Sequence, residues 1–199
     1  MSGNNICLVI VDFQNDFCPG GALAVKDGDR IADALNGYIA MFQAKGHLIV
    51  ATRDFHPSTT IHFKQHGGAW PPHCVQGTQG AAFHPALKLP GNAVIITKGE
   101  RPDEDSYSGF DGRDERGLGL EAVLKNDGIR RLFICGLATD YCVKATALDA
   151  LRLGFRVTAL VDAIKGVDLH EGDSMAALEE MAEHGALLSS LAEVRTTLA

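Results

Sequence analysis

Short, continuously apolar runs rich in β-branched residues recur along this chain: ICLVIVDF (6–13), HLIVAT (47–52), AVIIT (93–97), RLFICG (131–136) and RVTALVD (156–162), with a weaker GALLSS (185–190). An alternating apolar/polar strand exposes one face, whereas a continuous run describes a strand covered on both. Between the runs, 28–46, 118–128, 139–154 and 171–185 carry helical spacing and end in Gly, a common helix stop. Strand and helix in alternation predict an α/β fold: a doubly wound, mainly parallel sheet of about six strands with helices on both faces. A chain of 199 residues, 46% of them hydrophobic, suffices for one substantial core, so a single domain over 1–199 is expected.

Such a sheet binds ligands beyond the carboxyl ends of its strands. The residues there are Asp12, Arg53 with Asp54, Lys98, Gly136 onward and Asp162. Two long connections, 53–92 and 98–117, leave the same edge, and loops of that length in a compact domain usually carry function.

The first connection contains RDFHPSTTIHFKQHGGAWPPHCVQG (53–77), with four of the eight histidines of the chain. Asp54 and His56, two apart in an extended stretch, leave the same face, and His62 and His73 are placed to return to it. One carboxylate and three imidazoles suit one divalent transition metal (Zn²⁺, Fe²⁺ or Mn²⁺) and are too rich in nitrogen for Mg²⁺ or Ca²⁺. Solvated histidines beside a helix-capping Asp are the competing reading, and His66 is a spare imidazole.

A nucleophile is suggested by ICGLATDYCVKA, in which a strand ends at Gly136, Thr139 and Asp140 stand as capping residues, and Cys142 enters the first helical turn. The positive end of a helix favours thiolate, and its free N–H groups suit an oxyanion. A cysteine on the buried helix face is the plainer alternative. Asp12 and Lys98, each closing an apolar strand at the same edge, add a base and a cation to that thiol.

These segments, together with VDFQNDFCPGGAL (11–23), TRDFHP (52–57), WPPHCVQGTQGAAFHP (70–85), TKG (97–99) and CGLATDYCVKATALDA (135–150), resemble the nicotinamidase/pyrazinamidase branch of the isochorismatase-like cysteine hydrolases, in order from about residue 6 to 190. The resemblance implies a catalytic triad of Asp12, Lys98 and Cys142, and metal ligation by Asp54, His56, His62 and His73. It further implies a cis peptide between Leu137 and Ala138, with the Ala138 and Cys142 N–H groups forming an oxyanion hole. Phe17 and Trp70 match ring-sandwiching positions; Leu137 and Tyr107 are added as substrate contacts, Tyr141 as a wall. In the second loop, Tyr107, Ser108 and Phe110 are the residues placed to border the pocket. The implied substrates are nicotinamide and related pyridine and pyrazine carboxamides, in NAD salvage.

Composition narrows the alternatives. A formal net charge of -7 and no basic stripe argue against nucleic acid as a partner. No apolar run approaches the roughly 20 residues that span a bilayer, and the start MSGNNICLVIVDF lacks a basic leader, so no membrane association and a cytoplasmic location are expected. Five cysteines without a CxxC pair read as free thiols in a reducing compartment. The pattern fits a monomer or a homo-oligomer alike. Another enzyme of the superfamily, an isochorismatase or an N-carbamoyl amide hydrolase, would not need Asp54, His56, His62 and His73, and a silent metal- or ligand-binding scaffold would not need the triad. An NAD-binding domain would need GxGxxG where this chain reads DFQNDFCPGG.

Overall fold

The computed structural model describes residues 5–197; the ends of the expected 1–199 span, including the first four residues of the supposed leaderless start, lie outside them. Six strands form one parallel sheet: β1 (Ile6–Val11), β2 (Leu48–Asp54), β3 (Val94–Lys98), β4 (Arg131–Leu137), β5 (Arg156–Lys165) and β6 (Leu187–Ser189), in the spatial order β3-β2-β1-β4-β5-β6. Chain progression runs outward to one side through β2 and β3, then jumps across β1 to β4. The switch point therefore lies between β1 and β4, where Asp12 faces the start of the segment carrying Cys142.

β1 is the central strand, and residues 7–11 are fully buried, which is why it reads as an unbroken apolar run. Helix α1 (Ala32–Ala44) follows a short 3₁₀ turn at Gly28–Ile31 and turns Leu35, Tyr38, Ile39 and Phe42 into the sheet, the spacing of a single helical face. Each such side chain contributes about 1.5–3 kcal/mol by leaving water. Helices α2 (Leu120–Asn126), α3 (Lys144–Arg152), α4 (Asp173–Glu183) and α5 (Leu191–Thr197) complete the layers.

Three details differ from expectation. β5 does not end at Asp162 but continues to Lys165 past a bulge, the register jumping from Ile134↔Ala159 to Gly136↔Ile164. Asp162 is thus no sheet-edge residue: it accepts from the Tyr38 hydroxyl (2.7 Å) and from Leu191 N–H (2.9 Å), anchoring α5, a helix too short to show in the sequence. Thr139 and Asp140 do not cap a helix; residues Thr139–Val143 form a π turn ahead of α3, and Asp140 instead accepts from the backbone of Val167 and Asp168 (2.9 and 2.8 Å).

Gly136 sits where β4 passes β1, at φ 113°, and a Cβ there would lie 2.0 Å from Val11 O. The clash is with the backbone of a central strand and has no flexible side chain to absorb it. Gly136→Ala is expected to destabilise the fold by about 3 kcal/mol or more, read by chemical denaturation. A loss below about 1 kcal/mol would show that β1 and β4 are not packed this closely.

Candidate active site and metal centre

Asp12 follows β1 directly and lies in the left-handed region at φ 45°, a conformation that costs a non-glycine residue about 1–2 kcal/mol and recurs at functional sites. Lys98 closes β3, and its ammonium, with no exposed surface, lies 3.0 Å from Asp12 Oδ2, 3.5 Å from Cys142 Sγ and in tight contact with Asp54 Oδ1. Ligand atoms of Asp12, Asp54 and Cys142 all fall within 4.8 Å of one another. The strand ends thus bring the three expected triad residues together with Asp54 around one buried cation.

The electrostatics of this cluster follow from burial and from the two-to-one ratio of carboxylates to ammonium. Burial lowers the affinity of Lys98 for its proton, but Asp12 and Asp54 outweigh it and hold the ammonium well above its ordinary value. For Asp54, burial pushes upward while Lys98 and then His56 pull the carboxyl well below the usual range. Asp12 goes the other way: burial raises it, Lys98 only partly offsets this, and the neighbouring Asp54 charge adds to the rise. Burial likewise pushes the Cys142 thiol well up, against the pull of Lys98 and with Asp12 and Asp54 reinforcing it. Burial and the two carboxylates thus favour the protonated thiol, opposing the pull toward thiolate that Lys98 and the helix end supply.

Asp54 links this cluster to the histidines. Its other oxygen, Oδ2, lies 3.7 Å from His56 Nε2. His56, His62 and His73 are all buried, with ligand nitrogens within 4.8 Å of one another. Each ring meets an oxygen through Nδ1: His56 the carbonyl of Gly99 (3.2 Å), His73 that of Pro71 (2.8 Å), and His62 the carboxylate of Asp105. Each is thereby left with Nε2 as its ligand atom, and His56 Nε2 is a buried nitrogen with no hydrogen-bond partner. Burial holds the His73 imidazole down to about 4 and lowers His62 as well, so both rings offer lone pairs at neutral pH. Imidazoles anchored through one nitrogen and converging through the other fit a divalent transition metal. His66 stays outside, exposed, its ring against Ser58 O at 3.2 Å.

Both clusters reach one pocket, walled by Phe17, Trp70, Tyr107 and Tyr141 and lined also by Cys142, Ala138, Asp54, His62 and His73. Trp70 donates to the Tyr107 hydroxyl (2.8 Å) and meets Tyr141 edge-on, and Phe17 leans on His73. The Leu137–Ala138 peptide is cis. Leu137 is fully buried, does not line this pocket, and its side chain lies beside Gly28. Of the second loop, Tyr107 reaches the pocket, whereas Ser108 caps a 3₁₀ turn and Phe110 packs near Phe155.

Four further residues hold the site. Thr52 Oγ1 donates to Asp12 Oδ1 at 2.6 Å, and in the sequence it is only the polar member of HLIVAT. Gln14 clamps both sides of Asp54, accepting from its N–H and donating to its carbonyl (2.8 Å each), and also donates to Ala81 O. Ser106 contributes a carbonyl to Lys98 at 3.3 Å and lines the pocket. Asp105 is the fourth.

The isochorismatase domain model matches residues 6–193. The nicotinamidase of Escherichia coli K12 is 42% identical over 207 residues, covering 96% of this chain and 97% of that protein. Among solved structures, a pyrazinamidase of Pyrococcus horikoshii in complex with zinc superposes with a TM-score of 0.87 at 49% identity, covering 94% of this chain and 99% of that one. A protein of L. infantum in complex with nicotinate superposes at 0.83 with 38% identity, covering 96% and 94%. With a match that runs through all six strands and relatives aligned nearly end to end, the chain belongs to the isochorismatase family of hydrolases.

Proposed function

We propose that the protein is a metal-containing cysteine amidohydrolase that converts nicotinamide to nicotinate and ammonia in NAD salvage, through a thioester on Cys142, and that it also accepts pyrazinamide. One juxtaposition carries the assignment: a thiol, backed by a buried base and cation, lines the same aromatic-walled pocket as two imidazoles of a convergent cluster of three. Similarity to an E. coli nicotinamidase, to a zinc-bound pyrazinamidase and to a nicotinate complex supports it.

Phe17 and Trp70 hold the flat ring, and the carboxamide is presented to Cys142. Asp12, whose proton affinity is raised by burial, takes the thiol proton as sulfur bonds to the carbonyl carbon. The N–H groups of Ala138 and Cys142 receive the developing oxyanion, a contribution of about 3 kcal/mol per donor. Asp12 returns the proton to the departing nitrogen as the C–N bond breaks, releasing ammonia and leaving the acyl group on sulfur. Water then gives its proton to Asp12 and attacks the thioester; as the C–S bond breaks, Asp12 passes that proton to the departing sulfur and the thiol is restored. Lys98 stays charged throughout, held by both carboxylates.

Asp54, His56, His62 and His73 would hold the metal, which when bound supplies a Lewis-acid seat for the ring nitrogen of the substrate. No helix among the described residues is long and apolar enough to cross a membrane. Five free cysteines support placement in a reducing cytoplasm.

Ammonia release from nicotinamide, followed before and after chelation with metal content assayed on the same sample, tests this assignment. About one transition metal per chain and chelator-sensitive release are expected. Fully metallated protein that releases no ammonia would mean that the substrate is wrong. Full activity from metal-free protein would remove the metal from the reaction.

A further inference from the structure

We propose that Asp105 is a positioning residue for the metal centre, fixing His62 and making metal affinity depend on the 99–107 loop; this rests on the metal site described above. Two of the three imidazoles are anchored by main-chain carbonyls, those of Gly99 and Pro71, which side-chain substitution leaves in place. Only His62 is anchored by a side chain, the carboxylate of Asp105, 43 residues away. His62 is 5% exposed whereas Asp105 is 55% exposed, so a surface loop reaches in to hold a buried ligand. A carboxylate on Nδ1 keeps the proton there and leaves the Nε2 lone pair for the metal. His62 stacks on His56 at 4.8 Å between ring centroids, a contact compatible with that orientation but unable to choose between the two ring nitrogens.

The surrounding contacts show how the loop delivers this carboxylate. Pro102 O accepts from Ile61 N–H at 2.8 Å, beside His62, and an Arg101–Glu104 ion pair of 2.6 Å spans the turn before Asp105. Three consecutive residues then engage three parts of the site. Asp105 holds a metal-cluster imidazole, Ser106 O receives Lys98, and the Tyr107 hydroxyl receives Trp70. A loop joined this way to the imidazoles, the cation and the pocket wall contributes to metal binding through Asp105 without touching the metal.

Zinc affinity, measured without substrate by competition against a chromogenic chelator, separates the possibilities when wild type, Asp105→Ala, Asp105→Asn, His62→Ala and the Asp105→Ala/His62→Ala double variant are compared. Asp105→Ala is expected to weaken zinc binding about 10- to 100-fold, and Asp105→Asn, which keeps an acceptor oxygen, by less. In the His62→Ala background the same Asp105 substitution should add less than about twofold, since the residue through which it acts is gone. Wild-type affinity in Asp105→Ala, or an undiminished further loss in the double variant, would overturn the inference while leaving the metal centre intact. A wild-type protein that binds no zinc would overturn the metal centre itself and this inference with it.

Discussion

Replacing Cys142 by alanine is expected to lower the rate of ammonia release from nicotinamide by about 10⁴-fold or more, the scale on which loss of a covalent nucleophile is felt. Metal content should be unchanged, because Sγ lies on the Lys98 side of the site at 3.5 Å from Nζ, while the metal would be held by the imidazole cluster. Binding of nicotinamide should also survive, since the aromatic walls are untouched. The size of the effect follows from what remains: Asp12 would still face the carboxamide, but a carboxylate paired to a buried ammonium at 3.0 Å is poorly placed to replace sulfur as the attacking atom. Cys142→Ser, which keeps a proton for Asp12 to take but offers a weaker nucleophile, should recover only a small part of the loss. Measured turnover of the alanine variant above about 1% of wild type would eliminate the thioester route and point to direct attack by water.

What can be read in the sequence is whatever local pattern encodes. β1 is plain because a strand buried on both faces must be apolar throughout, and the metal loop is plain because an aspartate and four histidines crowded into residues 53–77 suit the ligation of a transition metal better than they suit a solvated turn. Asp162 misleads because a charged residue after an apolar run looks like a strand end, whereas here a bulge and the Tyr38 hydroxyl accommodate it inside β5. Asp140 misleads in the same way: its place before α3 suggests a cap, but its oxygens are committed 27 and 28 residues downstream. The residues that hold the site are out of reach for a related reason. Thr52 and Gln14 act across 40 positions, and Asp105 across 43, so nothing near them in sequence announces the partner. The protonation of the thiol is also set from a distance: burial and the carboxylates of Asp12 and Asp54 push its proton affinity up, while Lys98, 44 positions away, pulls it down.

Substituting Lys98 by methionine, which preserves most of the volume and removes only the charge, should both abolish turnover and cost about 3–5 kcal/mol of stability, the usual consequence of stripping one partner from a buried ionic cluster. Asp12 and Asp54 would be left facing each other with 0% and 4% side-chain exposure and no cation between them. The pH dependence distinguishes this cause from simple misfit. In the wild type, Lys98 outweighs burial and holds Asp54 below its unfolded value; this carboxyl contributes stability present above the unfolded value near pH 4 and lost as pH falls through the folded one. Without Lys98, burial and mutual repulsion raise both carboxyls above their unfolded values. Their contribution then reverses sign: the folded state binds more protons than the unfolded, and stability falls as pH rises from about 4 through the raised values. The gap between wild type and Lys98→Met should therefore be small near pH 4.5 and widen toward pH 8, as measured by urea denaturation of metal-free protein at the two pH values. A gap of equal size at both would mean that Lys98 fills space rather than balancing charge. Asp12 would then need another counter-charge to act as the base.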